Sequence, residues 1–189
     1  MSVVLTACWN NEEYMGELAG RVGVVRLSGW YRLVSAETIR TGERIFEIQG
    51  RVTAVPSRYS VQIDQDCHID TGSDHDLQEL LDQYCWRFMN HHCEPNAVIR
   101  GRTVYAIRSI RPWEEITFDY NTTEYEMAEP FPCNCGSKLC RGEIGGFKYL
   151  SAEEQEGLRP WLAPHLLRLL EPGHHFQSPS ELAAVSEIS

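Results

Sequence analysis

Lysine is almost missing from this chain. Of its 17 basic residues only Lys138 and Lys148 are lysines, and 27 acids give a net charge of −10. Non-specific clamping of phosphates needs clustered Lys and Arg, so direct nucleic-acid binding is not expected, and cationic partners suit the chain better. No run approaches the ~18 consecutive apolar residues of a membrane span, so no membrane partner is expected. The opening segment MSVVLTACWNNEEY has no positive n-region and meets acids at Glu12 and Glu13. No signal peptide is read there, and an intracellular, cytoplasmic protein is expected, with a nuclear destination left open. No repeat is visible. The cysteines number seven, an odd count that argues against a disulfide framework.

What is present suits a packed domain. With 189 residues, 42% hydrophobic and five Trp, the chain can bury a core and is far from the composition of disorder. Short β-type runs (VGVVRL, RIFEI, RVTAV) alternate with Gly29, Gly42, Gly50 and Pro56 from Gly23 to about Val55. Tyr59–Ile63 alternates like a half-buried strand, residues 97–110 form two β-rich runs around Gly101, and Ile116–Phe118 is a third. This pattern predicts a mostly β (α+β) fold of several small sheets and excludes a doubly wound parallel sheet.

One helical region is legible, at the C-terminal end. Ser151 and Glu154 have capping-box spacing. Leu158, Trp161, Leu162, Leu166, Leu167 and Leu170 follow as an apolar stripe expected to pack back on the domain, with breaks at Pro160 and Pro164. Residues 171–189 read as a flexible tail. Between Arg58 and Arg87 there is no Lys or Arg at all, while Asp64, Asp66, Asp70, Asp74, Asp76, Glu79 and Asp82 carry seven acids; a solvated acidic face is the plain reading.

Three segments carry chemistry. Arg87-Phe-Met-Asn-His-His-Cys-Glu-Pro-Asn96 sets a polar Asn90-His91 pair and a thiol before a proline-locked turn. Glu115-Ile-Thr-Phe-Asp-Tyr120 is a β run ending in a phenol, and Cys133-Asn-Cys-Gly-Ser-Lys-Leu-Cys140 is a C-x-C-x4-C cluster. In this order and spacing the segments resemble the SET-domain protein lysine methyltransferases with a post-SET zinc motif, over about residues 22–147.

The resemblance implies the family's fold of small twisted sheets around a knot-like crossing, followed here by short C-terminal helices. It divides the chain into a lead-in (1–21), a SET domain (22–121), a post-SET zinc segment (122–147), a helical segment (148–170) and the tail. A tetrahedral zinc site needs four ligands, and the family completes the three post-SET cysteines with the one corresponding to Cys93. The implied structural zinc set is therefore Cys93, Cys133, Cys135 and Cys140, leaving Cys8, Cys67 and Cys85 as ordinary thiols.

The implied cofactor is S-adenosylmethionine, held by Trp30, Tyr31, Phe88, Asn90, His91 and Tyr120. Tyr31 stands where the family's early Gly-x-Gly has its second glycine, and His92 stands where the family usually has Ser. Tyr120 corresponds to the catalytic tyrosine and Tyr59 to a second channel tyrosine. Phe118 occupies the position that limits product multiplicity, and Phe there implies di- or trimethylation. The implied substrate is a basic, lysine-containing protein or peptide lying between two acidic walls, residues 64–82 and the segment with Glu124, Glu126 and Glu129. A small amine or free amino acid as substrate, and a catalytically silent binding module, are the competing expectations.

Overall fold

A computed structural model describes residues 20–173. Nearly all of the expected lead-in, most of the tail, and Cys8 lie outside the described residues.

Strands β1 (Val22–Leu27) and β2 (Trp30–Ser35) form an antiparallel hairpin. Ser28 and Gly29 both take positive φ, 51° and 86°. That is the backbone of a two-residue hairpin turn whose twist matches its strands, and it sets Trp30 opposite Leu27. Next come β3 (Arg44–Glu47), β4 (Arg51–Thr53), β5 (Val61–Asp64) and β6 (Cys67–Asp70), with β6 between β4 and β5 in a three-stranded sheet. Helix α1 (Leu77–Gln83) and a 3₁₀ turn, Cys85–Phe88, lead into the short strand β7 (Asn90–His91). The hairpin β8 (Ala97–Arg100) and β9 (Thr103–Ala106) joins β3 in a second three-stranded sheet. Strand β10 (Thr117–Phe118) runs parallel to β7, and β11 (Phe131–Pro132) pairs with β12 (Glu143–Ile144). Helices α2 (Ala152–Gly157) and α3 (Pro164–Leu167) complete the described chain. Among the described residues the fold is mostly β, in five small sheets.

The main core gathers Val24, Leu33, Ile39, Ile48, Ile69, Ile99, Val104, Ile110 and Ile116, all nearly or fully buried. Val24, Leu33, Ile69, Ile99 and Val104 come from β1, β2, β6, β8 and β9, and along β9 burial alternates, with Val104 and Ala106 turned inward. A second cluster, Phe147, Leu158, Leu162 and Leu166, is built by the C-terminal segment, and a third sets Ile144 among Cys93 and Cys133.

Four details differ from the sequence reading. Tyr59 is not on a strand, because the serines around it bond the backbone instead: Ser57 Oγ accepts from the Tyr59 amide at 3.3 Å and Ser60 Oγ from the Ser57 amide at 2.9 Å. Such hydroxyl-closed turns compete with strand pairing, and β5 starts only at Val61. Helix α1 lies inside the acidic stretch, where Asp76 accepts from the Glu79 amide as its N-cap. The C-terminal helix is short: the capping box forms at Ser151 and Glu154, but α2 ends at Gly157 and α3 begins afresh at Pro164. Within the stripe Trp161 stays 37% exposed while Leu158, Leu162 and Leu166 turn inward.

Candidate active site and cysteine cluster

The β7–β10 pair is the hub of the site. Its parallel register sets Thr117 opposite Asn90 and Phe118 opposite His91, so two strands whose paired residues are 27 positions apart in sequence emerge side by side. Asn96 fastens them: its Oδ1 accepts from the Thr117 amide at 2.9 Å, and its Nδ2 donates to the Glu115 carbonyl at 2.7 Å. The chain then turns through a 3₁₀ segment, Tyr120–Thr122, whose N-cap Asp119 accepts from the Asn121 amide.

Tyr120 leaves this turn with its ring 4.7 Å from Phe118, and its hydroxyl donates to the Met89 carbonyl at 2.8 Å. Burial pushes its pKa far above that of an ordinary phenol, with the charges of Glu124 and Glu115 acting in the same direction, so the group stays a neutral O–H. Phe118, Tyr120 and Tyr59 all line one narrow cavity of about 40 Å³, together with Trp86, Met89 and Glu124. Tyr59 reaches it from its turn, half exposed, with the Arg87 guanidinium 4.0 Å from its ring centroid. The three residues expected to carry catalysis thus share one cavity.

Among the residues expected to hold the cofactor, Tyr31 and Phe88 pack ring to ring at 5.1 Å. Asn90 Nδ2 donates to the Tyr31 carbonyl at 3.0 Å and to Glu115 at 2.8 Å, and Glu115 also holds Arg32 at 3.2 Å. Tyr31, Phe88 and Asn90 are therefore gathered. Trp30 stands at the hairpin tip, 72% exposed. The His91 side chain is directed elsewhere. Its Nδ1 accepts the Tyr120 amide hydrogen at 3.2 Å, which leaves the ring proton on Nε2, 3.2 Å from Cys93 Sγ. Burial outweighs the attraction of Asp119 and pulls its pKa down to about 4, so the ring is neutral.

Cys93, Cys133, Cys135 and Cys140 converge, with all four sulfurs within 4.8 Å of one another and Cys93 and Cys133 at 4.0 Å. A tetrahedral zinc with Zn–S near 2.3 Å separates its sulfurs by about 3.8 Å, so the thiols fit the ion with sub-ångström adjustment. Burial by itself raises the Cys93 and Cys133 thiols, and a divalent cation reverses this, since a coordinated thiol loses its proton. Arg141, next to Cys140, pairs with the buried Asp119 at 2.8 Å and so ties the cluster to the Tyr120 turn.

Residues 31–121 match the family model described as SET domain. The chain carries a SET domain. Among curated relatives, the histone-lysine N-methyltransferase ash1 of Drosophila melanogaster is 39% identical over 87 residues, 42% of this chain and 4% of that protein. The methyltransferase flvH of Aspergillus flavus is 35% identical over 107 residues, 54% of this chain and 57% of that protein. An H3 lysine-36 specific histone-lysine N-methyltransferase of Coccidioides immitis is 31% identical over 157 residues, 72% of this chain and 15% of that protein. The chain spans less than two thirds of the length of each. A solved structure of KRYPTONITE with DNA, an H3(1-15) peptide and SAH is 27% identical with a TM-score of 0.47, covering 65% of this chain and 29% of that one.

The SET domain also uses residues to which sequence reasoning gave no such role. Asn96 and Asp119 brace the β7–β10 hub, and Glu115 orients Asn90. Glu124, read from sequence as part of an outer acidic wall, is instead buried against the cavity. The rest of that wall is partly paired: Glu129 with Arg58 at 3.1 Å, Glu126 with Lys148 at 2.9 Å and Asp64 with Arg168 at 2.7 Å. Among the described residues no helix is long and apolar enough to cross a membrane.

Proposed function

We propose that this protein is an S-adenosylmethionine-dependent lysine N-methyltransferase acting on a basic protein or peptide, with one structural zinc held by Cys93, Cys133, Cys135 and Cys140. The observation that carries the reading is the shared cavity of Tyr59, Phe118 and Tyr120 beside the β7–β10 hub of a SET domain. On this reading residues 22–121 are the catalytic part, 122–147 the zinc segment and 148–170 a helical brace.

S-adenosylmethionine, when bound, supplies a methyl group on a positively charged sulfur. Tyr31, Phe88, Asn90 and Tyr120 are the side chains assigned to hold it, with His91 contributing through its backbone and Trp30 from the exposed hairpin tip, and the Tyr31–Phe88 pair offers an aromatic face suited to a purine. Transfer to an amine is an in-line displacement in which positioning supplies most of the rate. Because the Tyr120 hydroxyl donates to Met89, its oxygen lone pairs are left to accept from an amine N–H. The aromatic walls disfavour the ammonium form, which helps to expose the nitrogen lone pair. Phe118 brings no hydroxyl that could hold a water, which leaves room for more than one methyl; Phe118→Tyr should restrict the product to a single methyl by mass spectrometry.

Exposed ion pairs such as Glu129–Arg58 are worth ~0.2–1 kcal/mol, so a basic peptide can exchange for Arg58, Lys148 or Arg168 at little cost. Two relatives are named as histone-lysine methyltransferases, which favours a histone-like tail and a nuclear place of action.

The test is transfer of labelled methyl to a panel of histone-like proteins, basic peptides, free lysine and small amines. Label on lysines of basic peptides, weakened by salt and abolished in Tyr120→Phe, is expected. Label on small amines alone would replace the substrate class. A zinc-loaded protein that binds no cofactor by calorimetry would make the chain a silent binding module.

A further inference from the structure

We infer that Glu124 is the group that takes the proton from the substrate ammonium inside the channel, an inference that rests on the lysine-methyltransferase reading above. The placement comes from local folding. The Glu124 amide donates to the Tyr120 carbonyl at 2.9 Å, so the two residues sit on one turn and their side chains line the same cavity. The carboxylate is fixed there. The Gln62 amide on β5 and the Thr123 hydroxyl both donate to Oε1, at 2.8 and 3.2 Å. Only 6% of Glu124 is accessible.

No ion pair to Glu124 is found among the described residues. The cationic side chains that line the cavity are engaged elsewhere, Arg58 with Glu129 and Arg87 with the Thr71 hydroxyl at 2.7 Å. The remaining titratable groups around it are Tyr59 and Tyr120 in the cavity and, behind it, His165, whose Nε2 is bonded to the Thr123 carbonyl. A carboxyl buried without a cation is costly to fold, and on the lysine-methyltransferase reading the substrate ammonium brings a cation to it.

The step balances as follows. The substrate R–NH3⁺ gives a proton to the Glu124 carboxylate, leaving R–NH2 and a neutral carboxyl. The nitrogen lone pair then forms the N–C bond to the methyl group while the C–S bond breaks, its electron pair going to the sulfur, which becomes a neutral thioether. The product is a methylammonium, and the Glu124 proton leaves to solvent between turnovers. Burial makes this acceptor a better one than an ordinary carboxylate, pushing its pKa up to about 7 against the opposing hydrogen bonds of Gln62 and Thr123, nearer to the ~10.4 of a free lysine.

The test is a single-turnover pH profile on a lysine peptide that the wild type methylates. The wild-type rate should fall as pH drops below about 7. Glu124→Gln, which keeps an acceptor for both donors, should lose about 10²–10⁴-fold and lose that inflection, with zinc content and cofactor affinity unchanged. A peptide carrying aminoethylcysteine, a less basic amine, should recover much of the variant's rate and change the wild type little. Should Glu124→Gln fail to fold, Thr123→Val keeps the carboxylate, removes one donor and should move the inflection to higher pH. Equal rates and profiles in wild type and Glu124→Gln, or no movement in Thr123→Val, would overturn the role of Glu124 alone. A wild type that methylates no lysine peptide would take the underlying reading down with it.

Discussion

His91 Nε2 lies 3.2 Å from the Cys93 sulfur. Since the opposite ring nitrogen accepts the Tyr120 amide, the imidazole donates its single proton toward a thiol of the cysteine cluster while holding the Tyr120 turn. A hydrogen bond that orients a ligand in this way typically carries 10–100-fold of metal affinity. The purified protein should contain one zinc per chain by elemental analysis. Chelation, or Cys135→Ser, should lower the thermal midpoint and loosen the Tyr120 turn, read by hydrogen exchange at residues 119–124. Cys67→Ser and Cys85→Ser should leave metal content unchanged, because neither thiol belongs to the cluster.

The pair Arg141–Asp119 makes a second tie between the two regions. Asp119 is 1% accessible and Arg141 17% by side chain, with the guanidinium also 3.6 Å from Glu154 at the start of α2. Removing one partner of a buried pair leaves an uncompensated charge and costs about 3–5 kcal/mol. Arg141→Ala should therefore lose close to that amount in urea denaturation. Arg141→Ala with Asp119→Asn should recover part of the loss, since the stranded charge is gone.

The parts of this arrangement legible in sequence are those set by neighbours along the chain. The capping box at Ser151, the hairpin around Gly101 and the breaks at Pro160 and Pro164 follow from residues within four or five positions of each other. The family motifs likewise announced the four cysteines and the meeting of Asn90 with the Tyr120 segment. What escaped was decided across space or by small competing bonds. Two serine hydroxyls took Tyr59 off its strand. The Asp76–Glu79 spacing that starts α1 was submerged in a run of acids read only for charge. Glu124 looked like one more surface acid because nothing in the sequence reveals that the Gln62 amide, sixty-two residues away, turns its carboxylate inward.

That inward turn has a consequence for stability. The folded-state pKa of Glu124, about 7, lies above its ordinary value of 4.5. The contribution of the protonated group to stability is then full below about 4.5 and is lost as pH rises through 7, on the order of 3 kcal/mol. Glu124→Gln, which cannot ionise, should be more stable than the wild type at pH ~8 by an amount of that order. The advantage should shrink toward zero near pH ~4.5. Thermal melts of both proteins at the two pH values check this, and an advantage that does not change with pH would contradict it.

Gly146 governs how the C-terminal segment meets the cavity. Its backbone, φ 110° and ψ 169°, lies in a region that only glycine adopts freely. A Cβ there would stand 2.7 Å from the Tyr125 carbonyl oxygen and 2.9 Å from the Glu126 Cα, both backbone atoms that cannot swing aside. The next residue, Phe147, donates its amide to the Glu124 carbonyl at 2.8 Å and anchors the second apolar cluster. Gly146→Ala should cost at least the ~1–3 kcal/mol of the backbone conformation, measured by urea denaturation with an unchanged m-value. Because any relief of the clash moves residues 124–126, methyl transfer should fall with it. Gly157, at the end of α2 with open space around its Cα, is the control. Gly157→Ala should be neutral or stabilising by up to about 1 kcal/mol, and activity should not change.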